Sequence, residues 1–274
     1  MDGSSAVVVA VSFLTVAFVF LIGQAIERLR PVQLRQPRSH LALDVAYAIA
    51  QQIIFRSTAP FWGSIAVGLV NAAGGGLISL RADGAWWLAS LLSYLLVADL
   101  LEYLWHRAQH AWKPLWEMHS FHHSEESINA LTAFRHFWLE FWIKTVVVYP
   151  LLGILFKTPP IILGVASMIY FASHVWVHLN IRVPAGRMSF CLATPQYHRI
   201  HHSMRPEHLN KNFADLLPFW DVLFGTAWRP SREEFPDTGL APSDLPDNVL
   251  DALLWPFRHD LRFAAVRLSA RRRD

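Results

Sequence analysis

Cysteine is almost missing from this chain: Cys191 is the only one in 274 residues. A lone thiol excludes an intrachain disulfide and any metal site built on cysteine. Charge is scarce too, with 16% of residues Asp, Glu, Lys or Arg, against about 25% in an ordinary soluble domain. No stretch alternates apolar and polar residues in the manner of a half-buried strand, so the chain reads as all-α. There is no internal repeat, and the glycine run at 74–76 is the only low-complexity segment. The net charge of +3 comes partly from Arg271, Arg272 and Arg273. That tail reads as a contact with a membrane surface, and no nucleic-acid partner is expected.

What is abundant is apolar and aromatic: 53% hydrophobic residues, with 12 Trp and 18 Phe. About 20 apolar residues are needed to cross a bilayer as a helix. By that measure residues 6–23, about 58–70, 85–105, 138–156 and 161–177 read as membrane helices. The second is short unless it begins near Leu43 and turns Gln51, Gln52 and Arg56 toward protein. The first has no basic residues before it and no small-residue cleavage site after it, so it reads as an uncleaved anchor. Arg28, Arg30, Arg35, Arg38, Arg107, Lys113 and Arg135 fall on one side of this arrangement, whereas the turns at 71–84 and 157–160 carry only Arg81 and Lys157. Positive loops stay inside, which puts the amino terminus outside and the arginine-rich side in the cytoplasm. The expectation is an integral-membrane bundle of four to five helices with a cytosolic histidine-rich cap. Residues 1–40 form an anchor and basic linker, 41–92 a membrane hairpin region (a helical hairpin over 41–84), 93–230 the histidine-rich region and 231–274 a cytosolic segment.

Ten of the fourteen histidines fall in four short clusters: His106 and His110; His119, His122 and His123; His174 and His178; His198, His201 and His202. Positions four apart lie on one face of a helix, so each pair presents two imidazoles together. In the triplets the first histidine stands three and four positions from the others, so one helical turn is expected to aim all three at one centre. A single pair of this kind reads more readily as an interfacial polar contact. Four clusters on one membrane face read as ligands, and ten imidazoles exceed what one ion uses, which points to two metals.

Asp99 and Glu102, seven and four positions before His106, share its helix face. They are the expected carboxylate partners of the site, because metal-bound histidines usually give their other N–H to a carboxylate or carbonyl. Glu102 also fits a salt bridge to Arg107 or another base. An imidazole shell without cysteine fits redox iron, with a dinuclear zinc hydrolase as the competing chemistry. A transporter would carry its polar groups along a path through the midplane, whereas these histidines gather at one surface.

The run from Asp99 to His110, followed by HSFHH, HVWVH and HRIHH and by the segment from Asn212 to Thr226, resembles the fatty acid hydroxylase superfamily. Its members are integral-membrane di-iron enzymes that include sterol desaturases and sterol C4-methyl oxidases, and the likeness spans about residues 93–230. The resemblance implies that all ten box histidines hold two iron ions, and that dioxygen is used to hydroxylate a C–H bond of a fatty acyl or sterol-like membrane lipid. Desaturation is the sister chemistry. Electrons are expected from a separate cytochrome b5- or ferredoxin-like protein, because no haem-binding segment is fused to this chain. In one place the pattern departs: Arg135-His136-Phe137 stands where the family usually has proline after the histidine. Arg135, His136 and Glu140 are expected to organise the end of the fourth helix, and His136 stays outside the ligand set.

Overall fold

A computed structural model describes residues 18–27, 38–183, 186, 190–240 and 244–258. The first two thirds of the expected anchor (6–17), the arginines at 28, 30 and 35 and the tail at 271–273 lie outside these residues. The chain is built of helices, as its lack of alternation predicts. They are α1 (Phe18–Glu27), α2 (Arg38–Ala72), α3 (Trp86–Ala111), α4 (Lys113–His123), α5 (Trp138–Val147) and α6 (Tyr149–Leu155). After them come α7 (Pro160–Val177), α8 (Pro195–His201), α9 (Phe219–Leu223) and α10 (Val249–Leu253).

Among the described residues four segments are long and apolar enough to cross a membrane: His40–Ala72, Trp86–Ala111, Trp138–Leu155 and Pro160–Val177. The third is α5 and α6 in series. Proline sets two of these boundaries. Pro160 opens α7 at a position where its missing N–H costs nothing, and Pro150 does the same inside the first turn of α6.

The hairpin expected over 41–84 is instead one long helix, α2, followed by a turn. Of the polar positions expected to face protein only Gln51 does: its Nε2 donates to the His136 carbonyl at 2.9 Å, beside Tyr47 Oη at 2.6 Å, whereas Gln52 and Arg56 are exposed. The packing partners of α2 are α5 and α6, while α3 lies against α4 and α7. Beyond α2 the chain turns through Gly74 and Gly76, whose φ of 64° and 83° suit glycine. It then forms β1 (Ile78–Ser79), which pairs in parallel with β2 (Phe156–Lys157). This two-residue pairing ties the turn before α3 to the turn before α7. Both helices therefore start at one end of the bundle and deliver their histidines to the other.

At the histidine end the connections are short and heavily hydrogen-bonded. Buried Arg135 joins α2, α4 and the segment before α5: it pairs with Asp44 and Glu125 and donates to Ser124 Oγ and the Phe121 carbonyl. The segment from Lys211 to Leu217 is held by Asn212, whose φ of 57° is left-handed, a conformation that asparagine tolerates better than most residues. Its side chain donates to the carbonyls of Tyr197 and Trp228 and accepts from the Trp228 N–H. Asp221 on α9 then accepts the N–H groups of Phe213 and Ala214 and the hydroxyls of Tyr197 and Thr226. These bonds fix the backbone that lines the histidines.

Candidate metal centre

Nine of the ten box histidines converge into two groups. His106, His110, His119, His123 and His201 form the first; His122, His178, His198 and His202 form the second. The four boxes come from the end of α3, from α4, from the end of α7 and from α8. The expectation that each triplet serves one centre is corrected here. His119 and His123 go to the first group and His122 to the second, while His198 and His202 go to the second and His201 to the first.

Within the second group the Nε2 atoms of His122 and His178, His178 and His198, and His198 and His202 are each 3.1 Å apart. In the first, His110 and His123 bring theirs to 3.2 Å. With metal–nitrogen bonds of about 2.1 Å, neighbouring ligand nitrogens stand roughly 3.0 to 3.4 Å apart. The spacing is that of a ligand shell.

The tautomers agree. A carbonyl or carboxylate only accepts, so an imidazole nitrogen facing one carries the proton. Nδ1–H of His106 donates to the Phe213 carbonyl at 2.7 Å, that of His201 to the Lys211 carbonyl at 2.9 Å and that of His178 to the His174 carbonyl at 2.6 Å. Nδ1–H of His119 donates to Glu140 Oε2 at 3.2 Å. Each of these rings therefore turns a bare Nε2 lone pair inward. Nε2 of His106, His119 and His201 is buried without a hydrogen-bond partner among the described residues. Buried orphan acceptors are costly, and a cation between them removes the cost. The residues present thus fit two metal ions.

Burial, reinforced by neighbouring imidazoles, keeps His122, His123, His178, His198 and His202 well below the usual histidine range. Burial also lowers His201, to about 3. All stay neutral at physiological pH, as metal ligation demands. Burial works against the charge of Asp215, but His198 and His174 outweigh it and hold the carboxyl well below its ordinary range.

His174, expected as a ligand, sits beside the second group rather than in it. Its Nδ1–H donates to Asp215 Oδ2 at 3.3 Å and its Nε2 lies 3.1 Å from Nε2 of His136. The carboxylates that serve the histidines are Asp215 and Glu140, not Asp99 and Glu102. Asp215 Oδ1 stands 3.2 Å from His198 Nδ1. Asp99 instead accepts the Leu217 N–H at 3.1 Å, so it holds the loop that carries Asp215. Glu102 pairs with Lys144 on α5 at 2.7 Å, the salt-bridge alternative with a different base from Arg107. The segment that contains Asp215 was visible in the sequence only as part of the family likeness. Its carbonyl acceptors leave no side-chain signature at all.

Two buried imidazole groups with the spacing of ligand shells, at one end of membrane-length helices, are what a membrane protein that could hold two metal ions in histidine presents. Residues 91–226, which hold all four boxes, match the fatty acid hydroxylase family, and the chain belongs to that superfamily. Alkylglycerol monooxygenase of Xenopus tropicalis is 31% identical over 58% of this chain and 34% of its own length. That of Danio rerio is 33% identical over 54% and 32%. The ornithine lipid hydroxylase OlsE of Rhizobium tropici is 28% identical over 53% and 44%. The chain thus spans about a third to under half of the length of these relatives. No solved structure matches it.

Proposed function

We propose that this protein is a multi-pass membrane oxygenase that hydroxylates an unactivated C–H bond of a membrane lipid. The observation that carries the reading is the pair of buried imidazole groups, whose inward lone pairs sit where the membrane-length helices end. The overall change is RH + O2 + 2e⁻ + 2H⁺ → ROH + H2O. Two iron ions bound to the histidines would supply the oxygen activation and one-electron chemistry that no side chain offers. The first ion would be held by His106, His110, His119, His123 and His201, and the second by His122, His178, His198 and His202 with His174 beside them.

The chain's own contribution is placement. Glu140 and Asp215 orient His119 and His174, and the carbonyls of Phe213, Lys211 and His174 orient His106, His201 and His178. The cap buries most of these histidines away from water. The names of the relatives, alkylglycerol monooxygenase and ornithine lipid hydroxylase, share a lipid and the insertion of oxygen, which supports hydroxylation over desaturation here. Electrons would come from a separate cytochrome b5- or ferredoxin-like protein on the cytoplasmic side, a facing of the histidine end that the arginine asymmetry supports.

Labelled dioxygen tests this. The hydroxylated lipid should carry the label, and product should vanish without oxygen or without reductant. Lipid cleavage that persists without oxygen, with label arriving from water, would replace this reading by a dinuclear zinc hydrolase. An alkene that still requires oxygen would move the protein to the desaturase branch.

A further inference from the structure

His136 lies outside the four boxes, yet it is built into the centre. Its ring stacks on that of His122, with centroids 4.2 Å apart and planes 14° from parallel. Its Nε2 stands 3.1 Å from Nε2 of His174, the separation that also links His122 to His178 and His198 to His202. On one side of this contact the proton is accounted for, because Nδ1–H of His174 donates to Asp215 and leaves Nε2 bare. On the other, Nδ1 of His136 lies 3.5 Å from Glu140 Oε2. With both Nδ1 atoms turned to carboxylates, two lone pairs face each other, a repulsion that a shared cation relieves.

We propose that His136 is an additional ligand, paired with His174, for the second metal ion, so that this chain brings eleven imidazoles to its two ions. The inference rests on the two-metal reading above. Position supports it. His136 and His174 are each 27% exposed at the side chain, whereas His198 is 1% and His119 2% exposed. The pair thus forms the open edge of an otherwise sealed group. Glu140 ties that edge to the first group, since one of its oxygens faces both His119 and His136. The proline that the family usually carries after this histidine is Phe137 here; its backbone N–H, which proline would lack, donates to Glu140 Oε1 at 3.1 Å. That bond fixes the carboxylate that faces His136.

The test uses the full chain in detergent, loaded with ferrous iron under anaerobic conditions, and compares it with His136→Gln and His136→Gly. A chelator titration followed by elemental analysis should release one of the two ions at least about tenfold more easily from His136→Gln, with the other ion unchanged. X-ray absorption should register a lower nitrogen count for the variant. Added imidazole should restore tight binding of the second ion in His136→Gly, a rescue that a purely structural role would not produce. A chelator curve and absorption spectrum identical to wild type would overturn the proposal. So would a variant whose metal-free form already unfolds at a lower temperature than metal-free wild type, because the loss would then be one of folding. Wild type that binds fewer than two ions would instead sink the two-metal reading beneath it.

Discussion

Side chain by side chain, the division of labour among the histidines makes separable predictions. His201 faces the first group and His122 the second, so His201→Ala and His122→Ala should each bring the metal content from two ions toward one and abolish product. Elemental analysis of purified variants measures this, and loss of both ions from either variant would show that the groups are one unit. Protonation adds a second prediction. His201 titrates at about 3 in the fold, lowered first by burial, against about 6.5 in an unfolded chain. The folded state prefers the neutral ring, so its contribution is fully present above about pH 6.5 and is lost as the pH falls toward 3. Each pH unit in that window costs about 1.4 kcal/mol for such a group. The metal-free protein should therefore melt progressively lower from pH 7 to pH 5, and the loaded protein should release its ions over the same range. A melting temperature that is flat or rising on acidification would contradict the buried neutral imidazoles.

Among the helices, periodicity explains both what could be read in advance and what could not. The apolar runs gave the starts of Trp86–Ala111, Trp138–Leu155 and Pro160–Val177 to within one residue but missed the reach of α2, and the spacing within the boxes marked the histidines that the fold brings together. The triplets misled, because at about 100° per residue positions i+3 and i+4 diverge by 100° around the helix. His122 and His123 therefore straddle His119, and α4 and α8 each give two imidazoles to one group and one to the other. Which group receives two depends on how α4 meets α8 in space, and no local pattern records that. Glu102 misled for a related reason. It shares the face of His106, but helical side chains lean toward the amino terminus, away from the histidine one turn later. Its carboxylate meets Lys144 instead. Glu102→Ala should accordingly leave both ions in place and lower detergent stability by about 1–3 kcal/mol, a value reduced from that of a fully buried pair because both groups are partly exposed. Thermal melts beside metal analysis decide it: a variant that loses metal would return Glu102 to the histidines.

For the molecule as a whole, the two ends of the bundle differ in a way that fixes its topology. One end carries the turns at 71–84 and 157–160, joined by the β1–β2 pairing, and holds only Arg81 and Lys157 of the basic residues that flank the spans. The other carries every histidine group together with Arg107, Lys113 and Arg135. At about 1.5 Å per residue the 33 residues of His40–Ala72 reach roughly 50 Å, well beyond a 30 Å hydrocarbon core. Its first half therefore remains to pack on the cap through Tyr47 and Gln51, as their bonds to the His136 carbonyl require. The positive side of a membrane protein stays in the cytoplasm, so the metal groups should face the compartment that holds soluble reductant. The scarcity of cysteine supplies the experiment. Cys191 is exposed and lies at the histidine end, since the neighbouring Ala193 is bonded to Leu216 and Trp176. A membrane-impermeant maleimide added to intact cells should leave Cys191 unlabelled until the membrane is permeabilised. In a Cys191→Ser background, Asp83→Cys in the opposite turn should react at once. Labelling of Cys191 in intact cells would turn the protein over, put both metal groups outside and cut them off from a cytoplasmic electron donor.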